Sequence, residues 1–325
     1  MTRVGEILAA IGRHGAVGFA LSLVLGIALP QLANAARPLL PITIFCFMIV
    51  VFLRADTTII AALIRRPRVL SLSCAWLIAA PLVLVSALLA IVGRGGVDPG
   101  LLLGLAILGA APPIMSSPAI AILYGFEPSL IIASVLGITT LSPLISPFLA
   151  DVLAGQAVPL DPAILMMRLA FFVLGGLGVA LVLRRLLGTA RIAGMKSQLD
   201  GLGVVLYFIF AIAAMDGVTD AILGRPMLVL TFLAVAFGVA AAGIALGLIV
   251  LRFAALPDRF ILGYGAGQRN MGLLIAALGA GVPDTTYLFF ALAQFPIYLA
   301  PWILTPLAKA ITRRMAADAR SATER

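Results

Sequence analysis

Two stretches of the chain set polar groups and helix breakers inside runs that are otherwise apolar. Gly263–Leu274 reads GYGAGQRNMGLL, three glycines in five residues followed at once by Gln268, Arg269 and Asn270. Gly109–Leu123 reads GAAPPIMSSPAIAIL, with Pro112, Pro113 and Pro118 around Ser116 and Ser117. Each glycine costs a helix roughly 1 kcal/mol, and prolines remove backbone donors and clash with the preceding turn. An arginine at mid-bilayer costs at least about 2.5–3.5 kcal/mol. Irregular, polar backbone at that depth is tolerated only where it is buried in protein or lines a watery cavity. The chemistry these residues suit is binding: half-helix ends, hydroxyls and amides offered to an ion or a polar solute. The competing reading is a snorkelling arginine with glycines for close packing, but Arg269 lies about ten residues from either end of its run.

Bond-making chemistry finds little to work with. Acid–base, nucleophilic or zinc catalysis would require paired carboxylates, a Ser/Lys or Ser/His arrangement, or a His/Glu cluster inside the apolar runs. Asp216, near Asp220, is the one acidic residue close to a run interior, and it reads as a helix-end charge rather than a proton carrier. The lone histidine, His14, sits near the N-terminus as a solvated flank. An enzyme is not expected, and no cofactor is implied.

The elements that must hold these residues are membrane helices. Of 325 residues, 63% are hydrophobic and 11% charged, with a mean hydropathy of +1.19; soluble domains carry about 25% charged residues. Ten apolar runs are long enough to span about 30 Å of hydrocarbon: Ala16–Ala35, Pro38–Leu53, Val69–Val92, Gly100–Tyr124, Ser129–Leu153, Ala163–Leu183, Leu202–Ala221, Met227–Leu251, Phe260–Gly281 and Thr285–Ile311. The first ends LANAA and mimics a signal peptide, but the later spans pair up best when it is retained. The net charge of +9 therefore concerns loops, not nucleic acid. With an inside N-terminus, 17 of the 22 basic residues fall on the cytoplasmic side, only Arg37, Arg94 and Arg225 fall outside, and Arg168 and Arg269 lie within spans. That asymmetry predicts both termini in the cytoplasm, in the cytoplasmic (inner) membrane. Thr57–Leu63 reads as a short surface helix. Cys46 and Cys74 lie in apolar runs and predict no disulfide framework.

The breaks recur in register. A broken fourth span precedes a fifth ending LSPLISPFLADVLA (Leu141–Ala154); a broken ninth precedes a tenth ending LAPWILTPLAKAI (Leu299–Ile311). Five spans per half forces opposite orientations, so residues 1–154 and 155–325 read as an inverted five-plus-five repeat. Interrupted helices at matching positions of inverted repeats point to a secondary-transporter site near the midplane.

At these residues the chain resembles the bile acid:sodium symporter family, within the group that includes arsenite exporters and auxin carriers. The resemblance runs nearly the full length and is most specific at the proline-broken fourth span entering Gly125–Ser129, at TTLSPLISPF (Thr139–Phe148) and at Arg269–Leu273. It implies ten helices in a panel and a core domain, with the fourth and ninth crossing at their breaks. It also implies carriage of a small organic anion together with sodium by alternating access. The family's Ser-Asn pair after the fourth-helix break matches Ser116 and Ser117; fifth-helix hydroxyls match Ser134 and Thr139. The ninth-helix motif, Glu-x-Gly-x-Gln-Asn-Ser-Gly, falls on Gly265 to Gly272. The shared glutamate is thus Gly265 and the second-site glutamine is Arg269, while Trp76 stands where the third helix has a glutamine. Losing a carboxylate and gaining a cation removes at least one sodium site, since that ion wants several oxygens. A residual sodium site would draw on Ser116, Ser117, Ser134 and Asn270. The expected site is Pro113, Ser116, Ser117, Ser134, Thr139, Gly267, Gln268, Arg269 and Asn270, its two broken segments facing each other across a cavity. Gln294 and Tyr298 stand near it on the tenth span. Arg269 is expected to replace sodium electrostatically, held by Ser116, Ser117 and freed fourth-span carbonyls, with Asp216 a further candidate partner. Proton-coupled or uncoupled carriage of another solute, or a membrane sensor that binds without moving its ligand, are the alternatives.

Overall fold

A computed structural model describes Glu6 and residues 15–55, 66–155 and 160–323. The surface helix expected at Thr57–Leu63 and the flanking His14 lie outside the described residues. Among the described residues the secondary structure is helical, with one isolated β-bridge and no strand.

In chain order the helices are α1 (Gly15–Ala28), α2 (Pro30–Ala36), α3 (Leu40–Arg54), α4 (Pro67–Val92), α5 (Pro99–Ala110), α6 (Ser117–Leu123) and α7 (Ser129–Ala154). There follow α8 (Pro162–Leu187), α9 (Thr189–Gly194), α10 (Lys196–Ala214), α11 (Val218–Gly224), α12 (Pro226–Val250), α13 (Leu256–Gly267), α14 (Met271–Leu278), α15 (Asp284–Leu292), α16 (Gln294–Ile303) and α17 (Thr305–Thr323). Among the described residues seven helical stretches are long and apolar enough to cross a membrane, rather than ten. The other three expected spans each contain an interruption. The first is broken at Leu29, just before Pro30, and α2 leads into the second span instead. The fourth is split into α5 and α6, and the ninth into α13 and α14. Prolines alone do not decide where a helix breaks. Pro143 and Pro147 lie inside an uninterrupted α7.

The helices sort by packing partner. α1, α2, α3 and α8 surround α10 or one another, while α4 to α7 pack with α12, α13 and α15. α14 and α16 touch both groups, and α7 lies along α8. At one end of the first group Arg54 pairs with Asp200, and Arg184 donates to the carbonyls of Leu53 (2.9 Å) and Ala55. Outward-facing residues on α4, α7, α8 and α12 are large and apolar, among them Val83, Leu144, Phe171 and Leu230, as a lipid-facing belt requires. By contrast α5, α13 and α14 are almost wholly enclosed by other helices. The broken spans are therefore protein-lined, which is the condition for tolerating them at depth.

Two facing glycine ladders hold the broken ninth span in place. A Cβ added at Gly243 would lie 2.5 Å from the Gly267 backbone, and one at Gly247 2.6 Å from Gly263. The Gly243/Gly247 and Gly263/Gly267 pairs each sit four residues apart, so α12 and α13 meet backbone to backbone, as small-xxx-small helices do in membranes.

Candidate functional site

The site grows from two chain breaks that meet. Helix α5 stops at Ala110 because Pro112 and Pro113 offer no N–H, and Ala111, ahead of them, is extended (φ −62°, ψ 150°). Helix α13 stops at Gly267 and Gln268 is extended as well (φ −112°, ψ 113°). The two extended segments pair antiparallel through a bridge between Pro113 and Arg269. The Ile114 amide donates to the Gln268 carbonyl at 2.9 Å, and the Asn270 amide to the Pro112 carbonyl at 2.9 Å. Each break thus satisfies the other's backbone groups, which no lipid could do.

Helix breaks also leave orphan carbonyls, and the Arg269 side chain gathers three of them. Its Nη1 donates to the Leu77 carbonyl at 2.9 Å and to the Gly265 carbonyl at 3.1 Å; its Nη2 donates to the Ala111 carbonyl. Each acceptor has lost its regular partner for an identifiable reason. Residue 81 is the i+4 position of Leu77, and Pro81 inside α4 has no N–H to give. Ala111 and Gly265 belong to the last turns of helices that stop at the crossing. The guanidinium therefore sits against the negative ends of two half-helices. Arg269 is 4% exposed, which makes this pairing a condition of its being there.

The expected partners of Arg269 are met in part: the carbonyl of Ala111 is a freed fourth-span carbonyl, but the serines and Asp216 are engaged elsewhere. Ser117 Oγ donates to the Ile114 carbonyl at 2.8 Å, and Ser116 lies beside the Tyr264 hydroxyl. Neither serine holds the guanidinium, because the backbone carbonyls of three helices are nearer. Asp216 is elsewhere, accepting from Arg37 at 2.8 Å and from Asn34 at 3.3 Å. Gly267 is corrected too: its open side faces Ala240 of α12, so it is a packing glycine rather than a lining one. Gly263 and Gly267 lie in helix, and the break itself is confined to Gln268–Asn270.

Of the other expected residues, Pro113, Gln268 and Asn270 come together at the crossing with Arg269. Ser134 and Thr139, both fully buried, lie on α7; the Ser134 hydroxyl is beside the Cys74 thiol, and Thr139 Oγ1 has no hydrogen-bond partner among the described residues. Trp76 Nε1 donates to the Leu262 carbonyl at 3.2 Å, tying α4 to α13 where the resemblance sets a glutamine. A Cβ at Gly265 would meet Leu77 Cδ2 at 3.0 Å, so the bare backbone there lets α4 come close enough for Arg269 to reach Leu77.

The crossing is not split by an open cavity, as its direct backbone pairing shows. The space lies to one side, between the two helix groups, and amounts to about 20 Å³, roughly one water. Phe47, Tyr207 and Phe210 close it from the first group; Arg269, Asn270, Gly272 and Gln294 border it at the crossing and on α14 and α16, which touch both groups. The first turn of α14 opens on it at Met271 and Gly272. Phe210 lies on Gly272, whose Cβ would fall 2.8 Å from Cζ of that ring. At the Asp216 end, the two groups are latched. Arg37 pairs with Asp216 while its guanidinium carbon stands 4.3 Å over the Tyr287 ring, and Tyr287 Oη donates to the Ala213 carbonyl at 2.8 Å.

Sequence reasoning passed over Leu77, Phe210 and Tyr207. Pro81 was the available signal for the first, since a proline inside a span exposes the carbonyl four residues before it. The aromatic residues carry no such signal. No protein-family model matches the chain, and no curated protein matches it.

Proposed function

We propose that the protein is a secondary transporter that moves a small organic anion across the membrane by rocking its two helix groups against each other. The observation that carries this reading is the paired crossing of two broken, buried spans beside a nearly closed space. Broken helices that meet inside protein are how transporter folds expose half-helix ends to a substrate. The N-terminal end of α14 gives that space the positive end of a helix dipole, which favours an anionic group. Arg269 borders the space, but its guanidinium is engaged by three carbonyls, which supports a role as the framework of the crossing rather than as the anion's contact. The latch at Arg37, Asp216 and Tyr287 closes the outer side in the orientation that the basic loops favour, and the small, nearly closed space beside Asn270 fits an occluded state.

Likeness to bile acid:sodium symporters supports the same architecture: ten spans, an inverted repeat, and panel and core domains matching the two helix groups. The departure at Gly265 and Arg269 supports carriage that does not rely on sodium. The test is uptake of candidate carboxylates into proteoliposomes, with sodium and proton gradients imposed separately. Saturable uptake of one carboxylate, abolished by filling the space with Gly272→Trp, is the expected result. Failure of any carboxylate to enter, with the protein folded and correctly inserted, overturns the proposal.

A further inference from the structure

Arg168 is the second arginine set within a span, and nothing at the crossing uses it. It lies six residues into α8, roughly 9 Å along the helix axis from Pro162 at 1.5 Å per residue. Helical side chains tilt toward the N-terminus, so the guanidinium reaches back to the level of the nearer membrane surface. There Nη1 donates to the carbonyls of Ala277 (3.2 Å) and Leu278 (3.0 Å), the last of α14. The residue is nevertheless exposed, and three of its five N–H donors remain to be used. Exposed in this place means facing lipid: Ile164, Met167 and Phe171 on the same helix are outward-facing and apolar.

Beside Arg168 runs a groove of about 480 Å³ between α8 and α14, walled by Met167, Phe171, Phe172 and Ala276. It continues from the guanidinium along residues that lie deeper in the span. On the other side a second hollow, of about 350 Å³, is bordered by both Arg168 and Asp161, but the carboxylate is directed at the Ala163 and Ile164 amides as the cap of α8 and makes no ion pair with the guanidinium among the described residues. A cation at headgroup level with an apolar channel leading inward from it is complementary to one ligand form, a phosphate carrying an acyl chain. A charge left in lipid without a counter-ion would be expensive. We infer that this groove is a binding site for one anionic phospholipid, its phosphate on the free edge of Arg168 and one acyl chain along Met167, Phe171 and Ala276. The lipid would brace the C-terminal end of α14, and through it the crossing that α14 begins.

The experiment uses the full chain, delipidated in mild detergent, with dioleoyl phosphatidylglycerol, dioleoyl phosphatidylcholine and inorganic phosphate as the three probes. Bound lipid is counted by native mass spectrometry and thermal unfolding is followed in parallel. One phosphatidylglycerol is expected to be retained with a preference over phosphatidylcholine of about fivefold, the effect of one basic residue on an anionic lipid. Arg168→Gln should erase that preference, and Met167→Trp, at a lipid-facing position that leaves the arginine in place, should lower retention by narrowing the groove. Equal retention of the two lipids by the wild type, or an undiminished preference in Arg168→Gln, overturns the proposal. Stabilisation by inorganic phosphate equal to that by phosphatidylglycerol overturns the assignment to lipid. If Arg168→Gln does not fold, Met167→Trp decides: unchanged retention overturns the site.

Discussion

Replacing Arg269 with glutamine tests the crossing directly. The guanidinium supplies donors to three carbonyls, those of Leu77, Gly265 and Ala111, in a fully enclosed setting. A buried acceptor left without a donor costs about 1–3 kcal/mol. Glutamine is shorter and keeps one amide group, so it can recover one of the three at best. The expected loss is therefore about 2–6 kcal/mol, and at about 2–4 °C per kcal/mol the unfolding midpoint of the purified protein should fall by about 4–24 °C. The structure also says which variant should compensate. Pro81→Ala returns the backbone N–H that Leu77 lacks, so in the glutamine background it should restore about 1 kcal/mol while changing the parent protein little. Gly265→Glu in that background, given sodium, should restore stability by a different route, because a side chain there first meets the flexible end of Leu77. Thermal unfolding of the four single and double variants, with and without sodium, forms a coupling cycle. An unchanged midpoint for Arg269→Gln, or equal effects of Pro81→Ala in both backgrounds, would refute the account of shared orphan carbonyls. Strong stabilisation of the unaltered protein by sodium would refute the claim that the guanidinium has taken the ion's place.

Two further outcomes follow from the packing and the latch. Gly267→Ala should destabilise by about 1–3 kcal/mol in the same melt, because its Cβ would fall 2.7 Å from the Ala240 carbonyl oxygen and α12 would have to move; Gly178→Ala, on α8 with nothing within 4 Å of the added atom, should be neutral or slightly stabilising. Asp216→Asn should speed labelling of Met271→Cys by an impermeant thiol reagent from the Asp216 side, in a background lacking Cys46 and Cys74, because Arg37 loses the carboxylate that holds its guanidinium over Tyr287 of the second group. Unchanged labelling would show that the latch does not gate access.

The apolar runs and the two polar interruptions were legible from the sequence because each has a local physical signature. Pro112 and Pro113 break a helix wherever they are placed, and Gln268, Arg269 and Asn270 would not be stable facing lipid. What the sequence hides is which glycine serves which purpose. Gly263 and Gly267 look like part of the break, but their ladder partners, Gly243 and Gly247, lie on the preceding helix, and only the packed structure brings the pairs together. The same limit applies to Arg269. The break in the fourth span drew attention to Ser116, Ser117 and its freed carbonyls, whereas the acceptors are carbonyls alone, drawn from three segments at Leu77, Ala111 and Gly265. Backbone carbonyls are present at every position, so sequence cannot rank them. The local clues were the Pro112-Pro113 break for Ala111 and Pro81 for Leu77.

That arrangement bears on how transport would be driven. Three helix ends or interruptions converge on one positive charge, and negative dipole ends are brought together only if a cation lies between them. A bound ion meeting that need can arrive and leave, so its gradient can do work on the crossing. A guanidinium attached to Arg269 cannot leave, so on the proposed reading the crossing would stay assembled throughout the cycle and store nothing from an ion gradient. If the protein carries an anion, the driving force must then come from the gradient of the anion itself, from protons, or from the membrane potential acting on net charge moved. Imposing an inward sodium gradient across the proteoliposome should leave initial uptake unchanged, while a potential set by potassium and valinomycin should alter it in the direction given by the substrate's charge. Sodium-dependent uptake would show that hydroxyls such as those of Ser134 and Thr139 still gather an ion despite the arginine, and that the fixed charge is structural without being a replacement.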